Sequence, residues 1–203
     1  MSDNIKPCPV GKFCTRGKFY KGVSITDPTK PDWYTNPVSC LPGTYNPTPY
    51  ATKIDDCLAC PPGKYCAGKA LDQPSGECLA GYFCKESSQL EQPSTNDLAG
   101  KWGNCPEGSY CVQGTAYPRP CPPGTYGAKA NLGSLVSCTA CLPGFYCPLA
   151  GMKSTDFLTT TYQCEAGFYC EAGKLNPRPA QCPAGYKCPA GSSAPTPCPA
   201  GTY

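Results

Sequence analysis

In a chain of 203 residues, Leu, Ile, Val and Phe together make 26, about 13%, below the ~20% under which a conventional hydrophobic core is not expected. The 17 basic and 14 acidic residues leave a net charge of +3 with no basic run, which gives no reason to expect nucleic acid or an anionic membrane as partner. Cysteine, at 19 residues, takes over the role of the missing core and predicts a disulfide scaffold from an oxidising, extracellular compartment.

The 22 glycines and 26 prolines break helices and long central strands. The predicted fold class is therefore a set of small disulfide-rich repeats, with short β-hairpins and turns in an elongated rod, little helix and no large core. No apolar run behind a basic start follows Met1, and no stretch approaches the ~20 apolar residues of a transmembrane helix. The sequence reads as a mature segment or a fragment without a membrane-spanning segment.

Along the chain one motif recurs ten times in two forms. The closed form, Cys-x-x-Gly-x-aromatic-Cys with one exception, begins at Cys8, Cys60, Cys78, Cys105, Cys141, Cys164 and Cys182; the open form lacks the closing cysteine and begins at Cys40, Cys121 and Cys198. Residues 1–39 form a partial repeat with a long insertion carrying Trp33. Residues 40–120 and 121–197 are two full superrepeats of one open and three closed units, and 198–203 start a third, so the natural chain is expected to continue. Self-similarity at this scale marks an array in which each module touches mainly its neighbours.

The glycine three places after each leading cysteine predicts a turn position of positive φ at Gly11, Gly43, Gly63, Gly81, Gly108, Gly124, Gly144, Gly167, Gly185 and Gly201. Proline before it, as in Pro62-Gly63, Pro123-Gly124 and Pro143-Gly144, suits a type II turn. The aromatic residue two places on is placed to cover the sulfurs. The unit at Cys182 departs, with Lys187 at the aromatic position and Tyr186 one place early.

Catalytic chemistry has little to stand on. Histidine is absent, which removes the commonest general base and metal ligand, and no Ser or Thr has an evident partner. The two Cys-x-x-Cys motifs, Cys57-Cys60 and Cys138-Cys141, lie 81 residues apart, far beyond zinc-ribbon spacing, and sit at the same joint of the repeat. Asp55-Asp56 reads as a solvated turn without a second cluster for calcium. No enzyme activity, metal or cofactor is expected.

Asn46-Pro47-Thr48 carries the forbidden central proline of a sequon. Pro-rich joints instead offer possible O-linked or hydroxyproline-linked sugars at Pro47, Thr48, Pro49, Ser94, Thr95, Pro195, Thr196 and Pro197; the alternative is that these prolines stiffen linkers.

The order Cys-Pro-Pro-Gly-Thr-Tyr, loop, Cys-x-x-Cys-x-Pro-Gly-x-Tyr resembles the Eph-receptor-like cysteine-rich repeat, itself similar to modules of tumour-necrosis-factor receptors. With equal loops, this resemblance implies Cys40–Cys57 and Cys121–Cys138. The closed units either cross-pair, as Cys141–Cys164 with Cys147–Cys170, or close on themselves. Self-closure gives Cys8–Cys14, Cys60–Cys66, Cys78–Cys84, Cys105–Cys111, Cys141–Cys147, Cys164–Cys170 and Cys182–Cys188, and is preferred because Cys8–Cys14 and Cys105–Cys111 otherwise lack a partner unit. Cys198 is expected to bond to a cysteine further along a longer chain.

By analogy with repeat arrays of protist and algal surface proteins, mastigoneme fibres among them, the resemblance implies a structural role. The expectation is an extracellular, cell-surface or flagellar segment that self-assembles into a fibre or coat, with glycans as further partners. The alternative is a ligand-binding receptor or adhesin ectodomain. Trp33, Trp102 and Phe157, in the variable loops, are candidates for partner contacts or for local capping.

Overall fold

The computed structural model describes residues 6–15, 19–20, 37–94 and 100–202; Trp33 and Thr95 lie outside the described residues. The chain divides into two compact bodies, residues 1–103 with 113–117, and residues 104–112 with 118–203. Each is built mainly from antiparallel pairs of two-residue strands, and the three-residue strands Tyr82–Cys84 and Trp102–Asn104 form one further pair. In the first body Lys6–Pro7 pairs with Phe19–Tyr20, Lys12–Phe13 with Val38–Ser39, Thr44–Tyr45 with Leu58–Ala59 and Lys64–Tyr65 with Gly76–Glu77. In the second, Ser109–Tyr110 pairs with Arg119–Pro120, Thr125–Tyr126 with Thr139–Ala140, Phe168–Tyr169 with Ala180–Gln181 and Tyr186–Lys187 with Thr196–Pro197. Every strand of a two-stranded pair is an edge, which is why Pro7, Pro120 and Pro197 are tolerated within them. Helical structure among the described residues is limited to 3₁₀ turns, such as Ile54–Asp56, Leu135–Ser137 and Ser154–Leu158.

The fold is thus a small disulfide-rich repeat, as the cysteine content predicts. Sulfur fills the interior. Cys8–Cys14, Cys60–Cys66, Cys78–Cys84, Cys105–Cys111, Cys141–Cys147, Cys164–Cys170 and Cys182–Cys188 span six residues each, while Cys40–Cys57 and Cys121–Cys138 span 17. In the chain-entropy picture loops of these lengths contribute about 2 and about 3 kcal/mol respectively. Around the sulfurs little else is buried. An apolar cluster among the described residues lies in the second body, where Tyr126, Cys141, Cys147 and Met152 pack with Leu142, Phe145, Phe157 and Tyr162. Phe157 is edge-on to both Tyr126, at 4.9 Å, and Phe145, at 5.4 Å, so this loop aromatic turns inward and packs across its own unit and the preceding one. Trp102 is half-buried on the strand Trp102–Asn104.

Candidate functional site

All ten turn glycines have positive φ, from 73° at Gly11 to 89° at Gly81. At Gly63 the turn closes with Lys64 N–H donating to Pro61 C=O at 3.1 Å, the geometry of a type II turn. The peptide groups of this glycine then do something the motif does not announce: they clasp the next unit. Gly43 N–H donates to Cys66 C=O at 2.8–2.9 Å separation typical of the set, here 2.9 Å, and Cys60 N–H donates to Gly43 C=O, also at 2.9 Å.

Two further bonds complete the joint. Cys40 C=O accepts from Ala70 N–H at 2.9 Å, and Asn46 N–H donates to Leu71 C=O at 2.8 Å. The same four bonds join Cys8's unit to Cys40's and Cys60's to Cys78's in the first body. In the second body they join the units of Cys105, Cys121, Cys141, Cys164 and Cys182 in succession. Residues 113–117 fall in the first body because Gly114 N–H donates to Cys78 C=O and Cys84 N–H to Thr115 C=O, two of these same bonds. At about 0.5–1.5 kcal/mol net per hydrogen bond, one joint contributes on the order of a few kcal/mol.

The residue that supplies the third bond forms a second left-handed position missed by the sequence reading. It is Tyr50, Ala70, Ser87, Gly114, Asn131, Gly151, Gly173 and Gly191 in successive units, all with φ between 54° and 79°. Its carbonyl reaches back two units: a Cβ on Gly11 would lie 2.1 Å from Ala70 C=O oxygen, on Gly63 2.4 Å from that of Gly114, and on Gly144 2.4 Å from that of Gly191. Glycine is therefore required at these turns twice over, by its φ and by the close approach of a backbone carbonyl. A signal was present in the four glycines of the set, but their distance from the closing position varies between three and four residues.

The open units are closed units with another residue in the closing slot. Asn46 stands six places after Cys40 and is fully buried. Its Nδ2 donates to Lys12 C=O at 3.0 Å, and its Oδ1 accepts from the Thr48 N–H at 3.1 Å and the Thr48 hydroxyl at 3.0 Å. Gly127 fills the equivalent slot after Cys121, where a Cβ would meet Gly108 N at 2.5 Å. Asn46→Ala is expected to cost about 1–3 kcal/mol by stranding these buried groups, visible as a lower denaturation midpoint of the non-reduced protein; an unchanged midpoint would show the slot to be indifferent.

Asn46 is sealed from any glycosyltransferase by burial as well as by Pro47. Of the Pro-rich candidates, Pro47, Thr48, Pro49, Ser94, Thr196 and Pro197 are exposed and Pro195 is half-buried. Asp55 and Asp56 lie on the exposed 3₁₀ turn. Asp56 is held below the usual carboxylate range by backbone N–H donors, Thr52 at 2.7 Å first and Lys53 at 3.1 Å second. A lowered folded pKa means that its contribution to the loop is present above the ordinary value of about 4 and is lost as pH falls through the folded one. Protection of the Thr52 and Lys53 amides, relative to their intrinsic exchange rates, is accordingly expected to fall below about pH 4, and unchanged protection across that range would contradict the assignment.

Among the described residues no group of three or more Cys, Asp or Glu is placed to hold a metal ion, and no helix is long and apolar enough to cross a membrane. Cys57-Cys60 and Cys138-Cys141 are each divided between two disulfides. Cys198 carries a free thiol and occupies the leading position of its unit, its N–H donating to Gly185 C=O at 2.9 Å. Nine disulfides in a chain of this size are the mark of a secreted or extracellular protein. No protein-family model matches the chain, and no curated protein matches it in sequence.

Proposed function

We propose that this chain is a segment of an extracellular fibre or surface coat, with a mechanical role and no catalytic one. The observation that carries the reading is the joint, in which one unit is fastened to the next by a recurring set of backbone hydrogen bonds. Such a joint fixes only the turn glycine and the closing slot, so units can be added while their loops diverge. In this reading the disulfides limit how far each unit can unravel under load. Lateral contacts between copies fall to the open-unit loops, which expose Ile54 in one superrepeat and Leu135 with Val136 in the other, Ile54 and Leu135 each standing 14 places after the leading cysteine. A mastigoneme-like fibre, on a cell or flagellar surface and decorated with glycans at the Pro-rich joints, is the finer form of the same proposal.

Electron microscopy of the native, non-reduced protein tests it. Fibres with an axial repeat that lose order on reduction are the expected result. Dispersed single rods of unchanging length would overturn it and leave a receptor or adhesin ectodomain in its place.

A further inference from the structure

We propose that Pro42, Pro62, Pro123 and Pro143 are sites of 4-hydroxylation by a prolyl hydroxylase that reads X-Pro-Gly in a turn. Each is the second residue of such a turn, and the glycine after it has φ of 86°, 79°, 83° and 85° respectively. The turns close through Thr44 to Leu41, Lys64 to Pro61, Thr125 to Pro122 and Phe145 to Leu142, at 3.0–3.1 Å. Pro62, Pro123 and Pro143 are exposed and Pro42 is half-buried, so a hydroxyl on the ring edge is accommodated without repacking the sulfur core. The proline immediately before glycine is also the one hydroxylated in collagen.

The same chain holds an internal contrast. Pro106, Pro183 and Pro199 are equally exposed turn prolines, but they stand one place earlier. Their carbonyls accept the turn bond from Ser109, Tyr186 and Thr202, and they are followed by Glu107, Ala184 and Ala200 rather than glycine. Exposure, shared by all but Pro42, does not separate the classes; the turn position and the following glycine do.

The modification needs dioxygen and 2-oxoglutarate as co-substrates of a non-haem iron(II) enzyme. One oxygen atom enters the proline C4–H bond to give C4–OH. The other enters succinate as carbon dioxide leaves 2-oxoglutarate, so the ring carbon loses two electrons, the keto acid loses two, and dioxygen accepts all four. The product has a physical use here. A 4-hydroxyl trans to the chain favours the ring pucker that holds proline in the extended conformation wanted at the second position of a type II turn, and it supplies an anchor for sugar. The inference rests on the extracellular reading, since the modifying enzyme and the disulfides would share one secretory compartment.

Peptide mass mapping of the native, non-reduced protein decides it. One added oxygen atom is expected on each of Pro42, Pro62, Pro123 and Pro143, with Pro106, Pro183 and Pro199 unmodified. Unmodified prolines in a map whose disulfides are intact would overturn hydroxylation and leave the extracellular reading standing. Equal modification of both classes would overturn recognition of the turn, and cysteines found reduced throughout would overturn both inferences together.

Discussion

Gly144→Ala is expected to destabilise the second body far more than Gly167→Ala, although the two glycines occupy the same place in their motifs and have φ of 85° and 87°. Forcing an L-residue into that region costs about 1–2 kcal/mol in either case. At Gly167 nothing lies within 4 Å of the added Cβ, whereas at Gly144 it meets the Gly191 carbonyl oxygen at 2.4 Å. Backbone cannot swing aside as a side-chain tip can, so a further overpacking cost of about 1–3 kcal/mol is expected at Gly144. Guanidinium denaturation of the non-reduced variants measures the difference, and hydrogen exchange at Cys164 N–H, which donates to Gly144 C=O, locates it. Equal losses in the two variants would mean that φ alone sets the requirement and that the two-unit reach contributes nothing.

The second large effect is expected in the order of reduction. Six disulfides, those of Cys8, Cys60, Cys78, Cys105, Cys141 and Cys164 with their partners, have both residues fully buried, at 0% exposure. Cys57, Cys138 and Cys182 are half-buried, which leaves each of their bonds one sulfur within reach of an attacking thiolate. Short loops also hold their thiols close enough to reclose readily once opened; Cys182–Cys188 shares that length, so there the accessible sulfur decides. Under limiting dithiol, alkylation should therefore label Cys40 with Cys57, Cys121 with Cys138 and Cys182 with Cys188 while the six remain blocked. Simultaneous labelling of all nine pairs would show instead that the body opens as one cooperative piece.

What could be read from the sequence followed what the residues themselves must do. A glycine at fixed distance from a cysteine has one common explanation, so Gly63 and its equivalents were legible as turns, and the scarcity of large apolar residues left sulfur as the core. The joint was not legible because its bonds run between backbone groups of different units, where Ala70 or Ser87 serves as well as Gly114. Nor did Tyr50 advertise a left-handed backbone, and Asn131, of a type that tolerates one, had no constant spacing to single it out. Asn46 was visible only as the head of a blocked sequon; its role in the closing slot depends on Lys12, 34 residues earlier. Phe157 illustrates the opposite difficulty, because a lone aromatic in a variable loop gives no hint of whether it turns outward or, as here, back onto Tyr126.

The disulfides share one property that bears on how the chain is made. Taken in order, each bonded cysteine is joined to its immediate neighbour in the sequence: the first to the second, the third to the fourth, and so on to Cys188. A chain entering an oxidising lumen from its N-terminus, at roughly 5–20 residues per second, presents each thiol with its proper partner as the next to arrive. Oxidation in order of emergence then writes the native set without reshuffling. The same arrangement makes the set sensitive to frame: loss of Cys14 alone would offer Cys8 to Cys40, and the mismatch would pass down the growing chain as a shifted reading frame does through a message.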